Sequence, residues 1–238
     1  GNPATASFTV TVNDTQAPVV SVPANIVVSN DANACGAVVE YAVSASDNCS
    51  AVTPELTAGL ASGELFPVGT TTVTYETEDE AGNPATASFT VTVNDTQAPT
   101  ITAANDVTSG TDSESCTTRI AIQDATFSDN CAGSQLTWAM TGATTGNGQG
   151  QVGTYTFNQG VTTITYTATD AAGNTVTDEL AVTVIDNVAP TIACPANQTR
   201  ANNNSTCSYT VIGNEFDPTA SDNCSVASVT NDYNNSAT

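Results

Sequence analysis

The chain has 238 residues and a very acidic composition: 24 Asp and Glu residues stand against 2 Lys and Arg, so the formal net charge is -22. Nucleic acids and anionic membranes are bound by Lys and Arg that neutralise phosphate, so both classes of partner are excluded. No His is present. Because His is the most frequent general base and a common transition-metal ligand, we do not expect an enzyme. No apolar run is long enough to predict insertion of this segment into a membrane.

The sequence is organised around an 18-residue stretch, GNPATASFTVTVNDTQAP, which occurs unchanged at residues 1–18 and 82–99. A diverged copy, GNTVTDELAVTVIDNVAP, occupies residues 173–190. Repetition at this spacing predicts a tandem array cut from a longer polypeptide. The predicted parts are the last strand of a preceding repeat (1–14), a first repeat (15–95), a second repeat with a nine-residue insertion (96–186) and a truncated third repeat (187–238).

Apolar residues alternate with Thr and Ser inside the duplicated stretch, as in a β-strand with one buried face. Phe89, Val91 and Val93 share the apolar side. Further strands of the first repeat are predicted at residues 19–22 and 26–28, separated by Pro23, and at residues 37–43, around 56 and at 71–78. The number of strands and the repeat length predict an all-β fold of tandem immunoglobulin-like β-sandwiches arranged end to end.

The second repeat carries a glycine-rich insertion, TGATTGNGQG, at residues 141–150. We predict a lengthened hairpin loop at a sheet edge. Trp138 and Met140 alternate with polar neighbours just before it and are predicted to lie in the core. The alternative is a carbohydrate-binding accessory module, in which Trp138, Tyr155 and the insertion contact polysaccharide.

Seven cysteines without the CxxC spacing of a zinc site favour disulfides and an extracellular location. Six of them form pairs separated by 14, 15 and 17 residues, one pair in each repeat. Regular local spacing predicts three local disulfides, each stabilising a small domain by about 3 kcal/mol. The predicted pairs are Cys35 with Cys49, Cys116 with Cys131, and Cys207 with Cys224.

Cys194 belongs to none of these predicted pairs. Its aligned positions are Val22 in the first repeat and Ala103 in the second. We predict a partner in the last strand of the third repeat, beyond Thr238, at the position aligned with Ala87 and Asp178. The alternative is a free or intermolecular thiol.

Acidic residues recur in the connector after the duplicated strand, in an Asp-Asn-Cys loop, and in the turn before the last strand. These three places lie at one end of a seven-stranded sandwich. Carboxylates suit calcium, which takes six to eight oxygen ligands. The alternative is that Asp and Asn form turns and keep the surface soluble. The two predicted calcium sets are Asp14, Asp47 and Asp79, and Asp95, Asp129 and Asp170.

A family resemblance follows from a set of motifs: VPAN or CPAN near the start of a repeat, ASDNC, FPVGTTTVTY, DEAGN and SFTVTVND. Together they resemble the hyalin-repeat (HYR) domain, and the cysteine-rich variety resembles repeats of gliding-motility adhesins exported by type IX secretion. The resemblance implies an immunoglobulin-like fold and a role in adhesion or in extending a stalk, and it implies no catalytic residues.

Two hypotheses for function result. The first is a structural and adhesive segment of a very large extracellular filament or stalk, at the cell surface, involved in attachment or gliding. Its partners would be neighbouring repeats of the same chain and a surface polysaccharide or substratum. The second is the carbohydrate-binding module described above. The connectors are short and contain proline, so we expect neighbouring repeats to touch and the array to be semi-rigid.

Overall fold

The computed structural model describes residues 1–202 and 205–230. The chain forms two compact units. The first consists of Gly1–Thr100, Ser128–Ser134 and Thr169–Thr175, and the second of Ile101–Phe127, Gln135–Ala168 and Val176–Thr238. Three short segments of the second repeat, 96–100, 128–134 and 169–175, therefore belong to the first compact unit. The predicted third repeat, 187–238, includes residues 203–204 and 231–238, which lie outside the described residues.

The first repeat is built from eight strands separated by turns. They are β1 (Val19–Ser21), β2 (Ile26–Ser29), β3 (Gly36–Val38), β4 (Ser44–Ser46), β5 (Glu55–Ala58), β6 (Leu65–Pro67), β7 (Gly69–Glu78) and β8 (Pro84–Asn94). A four-stranded sheet has the order β2-β8-β7-β5, with β2 parallel to β8 and the other neighbours antiparallel. Strands β3 and β6 form an antiparallel pair, and so do β1 and β4.

The core of the first repeat lies between the four-stranded sheet and the β3-β6 pair. Phe89, Val91 and Val93 are buried on β8, as the alternation predicts. They pack with Phe66 of β6 and Val73 of β7, both fully buried. Removing this apolar area from water is the main source of stability in a repeat of this size.

Pro23 separates two strands that belong to different sheets. Strand β1 pairs with β4, whereas β2 pairs with β8. Proline has no N–H to donate, so it ends one ladder and allows the chain to enter another. The predicted strand 37–43 is shorter than expected, because only Gly36–Val38 is strand. Val39 is nevertheless buried, with its N–H bonded to the Glu64 carbonyl at 3.3 Å.

The second repeat has the same plan with one more strand. Its strands are β9 (Thr100–Thr102), β10 (Val107–Gly110), β11 (Thr117–Ala121), β12 (Thr126–Ser128), β13 (Gln135–Gly142), β14 (Gly146–Gln149), β15 (Thr154–Asn158), β16 (Gly160–Thr169) and β17 (Thr175–Ile185). The large sheet has the order β10-β17-β16-β13-β14, beside the pairs β11-β15 and β9-β12. Strands β13 and β14 form an antiparallel hairpin at the sheet edge, which confirms the prediction for the glycine-rich insertion.

In the part of the third repeat that the structure describes, β18 (Thr191–Ala193) pairs with β19 (Thr219–Ser221). Residues 1–13, identical in sequence to 82–94, are assigned to no strand. Phe8, Val10 and Val12 are instead exposed. Within residues 1–202 and 205–230 there is no helix long and apolar enough to cross a membrane.

Candidate functional site

The disulfides join cysteines of successive repeats. Cys35 is bonded to Cys131 within the first compact unit, across a sequence separation of 96 residues. Cys116 is bonded to Cys224 within the second, across 108 residues. The predicted local pairs Cys35–Cys49, Cys116–Cys131 and Cys207–Cys224 are therefore wrong. The remaining cysteines, Cys49, Cys194 and Cys207, are free and exposed.

The pairing follows from where the Asp-Asn-Cys loops lie. We call residues 31–35 and 112–116 the cysteine turns. In the first cysteine turn, Asp31 N–H bonds to the Gly36 carbonyl at 2.7 Å and Ala34 N–H to the Asp31 carbonyl at 3.0 Å. This turn presents Cys35 to the loop 129–131, with the Cα atoms of Cys35 and Cys131 4.9 Å apart. The spacing of the cysteines does not show whether they pair within a repeat or with the next repeat. Both kinds of pairing recur with the same period along the sequence.

An asparagine anchors each bonded loop to its cysteine turn, and sequence reasoning missed this role. Asn130 donates its side-chain N–H to the Ala34 carbonyl at 3.1 Å. Asn223 reaches the second turn in the same way, donating to the carbonyls of Asp112 at 2.9 Å and Ser115 at 3.1 Å. The signal was present in the sequence, since an Asn precedes the cysteine in all three loops.

Each loop also brings a carboxylate to the connector that precedes it. In three clusters the candidate ligand atoms all lie within 4.8 Å of one another. The clusters are Asp14, Asp47 and Cys49; Asp95, Asp129 and Cys131; and Asp186, Asp222 and Cys224. Two carboxylates of each predicted calcium set are therefore close together. The third cluster was not predicted.

Asp79 and Asp170 do not join these clusters, so that part of the predicted sets is corrected. Their carboxylates are used inside their own turns. Asp79 accepts from the Asn83 backbone N–H at 2.8 Å and from its side-chain N–H at 2.7 Å. Asp170 accepts from Asn174 with the same pattern, at 2.8 Å for both groups.

The two turns reach the connectors indirectly, through their asparagines. Asn83 donates to the Asp14 carbonyl at 3.4 Å, and Asn174 to the Asp95 carbonyl at 3.2 Å. The hydrogen bonds from Asn83 lower the pKa of Asp79. For Asp170, burial alone would raise the pKa, but the hydrogen bonds from Asn174 and neighbouring backbone outweigh it and the pKa is lowered. Both carboxylates are thus held in the charged form that the turn needs.

The second cluster fits a hard cation. Asp95 is only 8% exposed, and the Oδ1 atoms of Asp129 and Asn130 are inaccessible to solvent with no hydrogen-bond partner among the described residues. Unpaired buried oxygens cost free energy unless an ion or water satisfies them. Separations up to 4.8 Å suit ligands on a shared calcium, whose bonds are about 2.3–2.6 Å long. The Cys131 sulfur is held in a disulfide, so the available donors are oxygens.

The first cluster differs, because Cys49 has no disulfide. A hydrogen bond to Asp14, then burial and the charges of neighbouring carboxylates, raise the pKa of the Cys49 thiol. Asp47 Oδ1 is inaccessible and unpaired among the described residues, like Asp129 Oδ1. The loop 47–49 therefore has the same carboxylate arrangement as the loop 129–131.

The prediction for Cys194 stays a prediction, with support from the second repeat. The aligned residues Ala103 and Asp178 are in contact there, since Ala103 donates its backbone N–H to Asp178 at 2.8 Å. The two positions are therefore neighbours in the second repeat.

Trp138 is partly buried and packs against the core of the second repeat. It contacts the buried cluster around Phe157 and lies edge-on to Tyr155, with ring centroids 5.9 Å apart. A Cβ atom on Gly148 would come within 2.5 Å of the Trp138 ring. The glycines of the insertion thus let β14 cover the indole, and the prediction that Trp138 and Met140 belong to the core is confirmed.

Comparison with known proteins identifies the family. The HYR domain matches residues 13–93 and 94–184, and the chain belongs to this family. Its repeats are immunoglobulin-like β-sandwiches, and the segment is extracellular and of the adhesive type.

Two proteins are similar to this chain in sequence. Hyalin of Lytechinus variegatus is 31% identical over 93% of this chain, which spans 41% of that hyalin. The serine-rich adhesin for platelets of Staphylococcus aureus (strain MRSA252) is 36% identical over 48% of this chain, which spans 8% of the adhesin. The chain is thus less than half the length of either relative.

Among solved structures, Drosophila N-cadherin EC1-3 is 14% identical, with 72% of this chain and 68% of that chain covered and a TM-score of 0.31.

Proposed function

We propose that this chain is a load-bearing segment of a long extracellular stalk or filament, part of a cell-surface adhesin used in attachment or gliding. The observation that supports the proposal is the overlap of the two disulfides. Cys116 lies inside the interval closed by Cys35 and Cys131, and Cys131 lies inside the interval closed by Cys116 and Cys224.

The overlap shortens the covalent path between the two ends of the chain. A force applied at the ends passes along residues 1–35, crosses to Cys131, returns to Cys116 and crosses to residue 224. Residues outside this path are shielded from tension even after the sandwiches unfold. The stretched path holds about 66 residues and spans roughly 230 Å, against about 830 Å for the whole extended chain. Such a segment resists extension without a large core.

Single-molecule pulling from the two termini tests the proposal. The oxidised chain should reach about a quarter of the extension that it reaches in excess dithiothreitol. Cys224→Ser opens the second bond and should extend to roughly 500 Å without reductant. Cys49→Ser, which removes a free thiol, is the matched control and should behave like the wild type. Equal extension with and without reductant would reject the load path.

We further propose that calcium binds at the second acidic cluster and stiffens the junction there. Asp95, Asp129 and Asn130 would hold the ion, because the Oδ1 atoms of Asp129 and Asn130 lack other partners among the described residues and the Asp95 side chain is buried beside them. An ion that binds only the folded state stabilises it by about 2.7 kcal/mol at a hundredfold excess over its Kd.

Thermal unfolding in EDTA and in millimolar calcium measures this effect. The midpoint should rise with calcium in the wild type and in Asp124→Asn, an exposed acidic control outside the clusters. The rise should be smaller in Asp129→Asn. An unchanged midpoint in the wild type would show that the carboxylates serve as turn formers and not as ligands.

No observation favours the carbohydrate-binding alternative. Its main candidate residue, Trp138, is covered by Gly146 and Gly148 and packed on Tyr155. A surface polysaccharide or substratum remains a proposed partner of the whole adhesin, with neighbouring repeats as the partners of this segment.

A further inference from the structure

The large sheets of the two repeats differ at one edge. In the second repeat, β14 pairs antiparallel with β13 and is the outermost strand. The first repeat lacks the nine-residue insertion that supplies β14. Its sheet therefore ends at β5, and no other strand of the described residues pairs with β5 on its outer side. The outward backbone N–H and C=O groups of such an edge strand can pair with an added strand.

The open edge begins before β5 itself. The Thr77 side chain donates its O–H to the Thr53 carbonyl at 3.0 Å, so the chain stays beside β7 from Thr53 onward. All four residues of β5 are exposed. The register of β5 against β7 shifts between Leu56 and Ala58. Because a bulge discourages pairing where it lies, residues 53–56 are the part of the edge that is open to a partner.

Three glutamates lie on one face of the sheet beside this part of the edge. Glu55 of β5 is directly opposite Glu76 of β7, and Glu78 follows two residues later on the same face. Like charges directly opposite each other destabilise a sheet, and a cation beside the pair removes that penalty. The three side chains line an open groove of about 400 Å³ that extends from Thr57 to Thr86 of β8. The groove is therefore acidic and adjoins an unpaired strand.

The arrangement of these charges favours a row of cations over a single ion. The three glutamates do not belong to the clusters whose ligand atoms lie within 4.8 Å of one another among the described residues. Glu76 and Glu78 are two residues apart on one strand, which separates them by roughly 6.6 Å. Alternate side chains of an extended partner have the same spacing. Lys and Arg side chains are long enough to reach across one strand, with their stems in the groove and their charges at the carboxylates.

A second copy of this chain does not fit the edge. Pairing β5 with another β5 would bring two sets of glutamates together, and the whole chain has a net charge of -22. Its two cationic residues are Arg119 and Arg200, so no segment of residues 1–238 carries cations at alternate positions. A strand with alternating cations therefore comes from outside these residues.

We propose that residues 53–56 form a docking edge for an extended segment of another protein, in which Lys or Arg occupies alternate positions. The segment adds to β5 as an antiparallel strand, in the way that β14 adds to β13 within the second repeat. Main-chain hydrogen bonds to the edge provide affinity. The cations that face Glu55, Glu76 and Glu78 provide specificity, because a strand without them leaves the glutamates unpaired. This interaction is independent of the load path and of calcium.

The probe for the test is a short fluorescent peptide in which Lys alternates with Thr. It is titrated into the oxidised full chain and followed by fluorescence anisotropy. In an extended peptide, the backbone N–H groups of the Lys residues point to one edge and those of the Thr residues to the other. Two further peptides therefore carry N-methyl groups, one on the Lys nitrogens and one on the Thr nitrogens. One of them should bind about tenfold more weakly than the parent peptide and the other like the parent, because only one edge of an added strand pairs with β5.

Variants of the chain locate the site. Glu55→Gln and Glu76→Gln should each weaken binding of the parent peptide about threefold, as expected for an exposed ion pair. Both variants should also raise the thermal midpoint, because each removes the repulsion between the two glutamates, so weaker binding is not a result of unfolding. Glu179→Gln is the matched control, since Glu179 is an exposed glutamate on the large sheet of the second repeat. It should bind the peptide like the wild type.

Hydrogen exchange shows where the peptide lies. Backbone amides within residues 53–56 should exchange more slowly when the parent peptide is present, and those of β13 should not change. Equal binding of all three peptides would overturn the proposal, because it shows attraction of a cationic peptide to an acidic chain without strand addition. Equal weakening by Glu179→Gln and Glu55→Gln would place the peptide elsewhere. Protection of residues 53–56 in the chain alone, on raising its concentration, would show that a second copy occupies the edge.

Discussion

The two identical 18-residue stretches at residues 1–18 and 82–99 have different structures. Phe89 is 3% exposed in the core of the first repeat, whereas Phe8, at the same place in the sequence, is 90% exposed. The same holds for Val91 at 0% and Val10 at 72%. Alternation of apolar and polar residues therefore indicates which side of a strand can be buried. Residues 84–94 form the strand β8 because β2 and β7 pair with them on either side.

The largest expected effect tests that difference directly. Phe89→Ala removes a buried ring and should lower the free energy of unfolding by about 3–5 kcal/mol, because a cavity remains. Phe8→Ala changes an exposed side chain and should stay within about 0.5 kcal/mol of the wild type. Urea denaturation followed by circular dichroism gives both values. Similar losses in the two variants would mean that residues 1–13 are also packed in solution.

The Asp-Asn-Cys loops that follow the two stretches also differ, because Cys131 is in a disulfide and Cys49 is not. Cys131→Ser removes the bond to Cys35 and should cost about 2–4 kcal/mol, since closing a long loop restricts the unfolded chain. Cys49→Ser removes a free thiol and should leave the stability of the monomer unchanged. Denaturation without reductant, with the monomer isolated by size exclusion, makes the comparison. A large loss for Cys49→Ser would place Cys49 in a structural role within the monomer.

The smallest effect concerns the connectors. Gln97 accepts the Asn33 backbone N–H at 2.7 Å and donates to the Asn33 side chain at 3.4 Å. Asn33 has a positive φ of 61°, so this contact supports an unfavourable backbone conformation. Gln97→Ala should cost about 0.5–1 kcal/mol, whereas Gln16→Ala in the first stretch should cost almost nothing. Hydrogen exchange at Asn33 should accelerate only in Gln97→Ala, and protection that persists there would show that the turn is stable without Gln97.

Much of the fold was predictable because it depends on local chemistry. The alternation in 86–93 predicted a strand with Phe89 on its buried face, and Pro23 predicted the break between β1 and β2. The glycine-rich insertion predicted an edge hairpin. The reason for its glycines was not predictable, because the close approach of Gly148 to Trp138 is a contact between strands.

The candidate site was predicted only in part. The sequence placed Asp95 and Asp129 at one end of a sandwich, and the structure brings their carboxylates together. Asp170 was expected beside them, but its oxygens are taken by Asn174 four residues later. A local hydrogen bond of this kind competes with a distant ligand, and spacing along the chain does not reveal which of the two forms.

The all-β class, the family, the extracellular location and the repeated cysteine, aspartate and asparagine positions can all be inferred from the amino-acid pattern. Which cysteines pair depends instead on three-dimensional contacts. A disulfide requires Cα atoms within about 7 Å, and that distance depends on how a loop of one repeat lies against a turn of the preceding one. Because both pairings recur with the period of the array, the sequence pattern is the same for each. The contact of Asn130 with the cysteine turn distinguishes them.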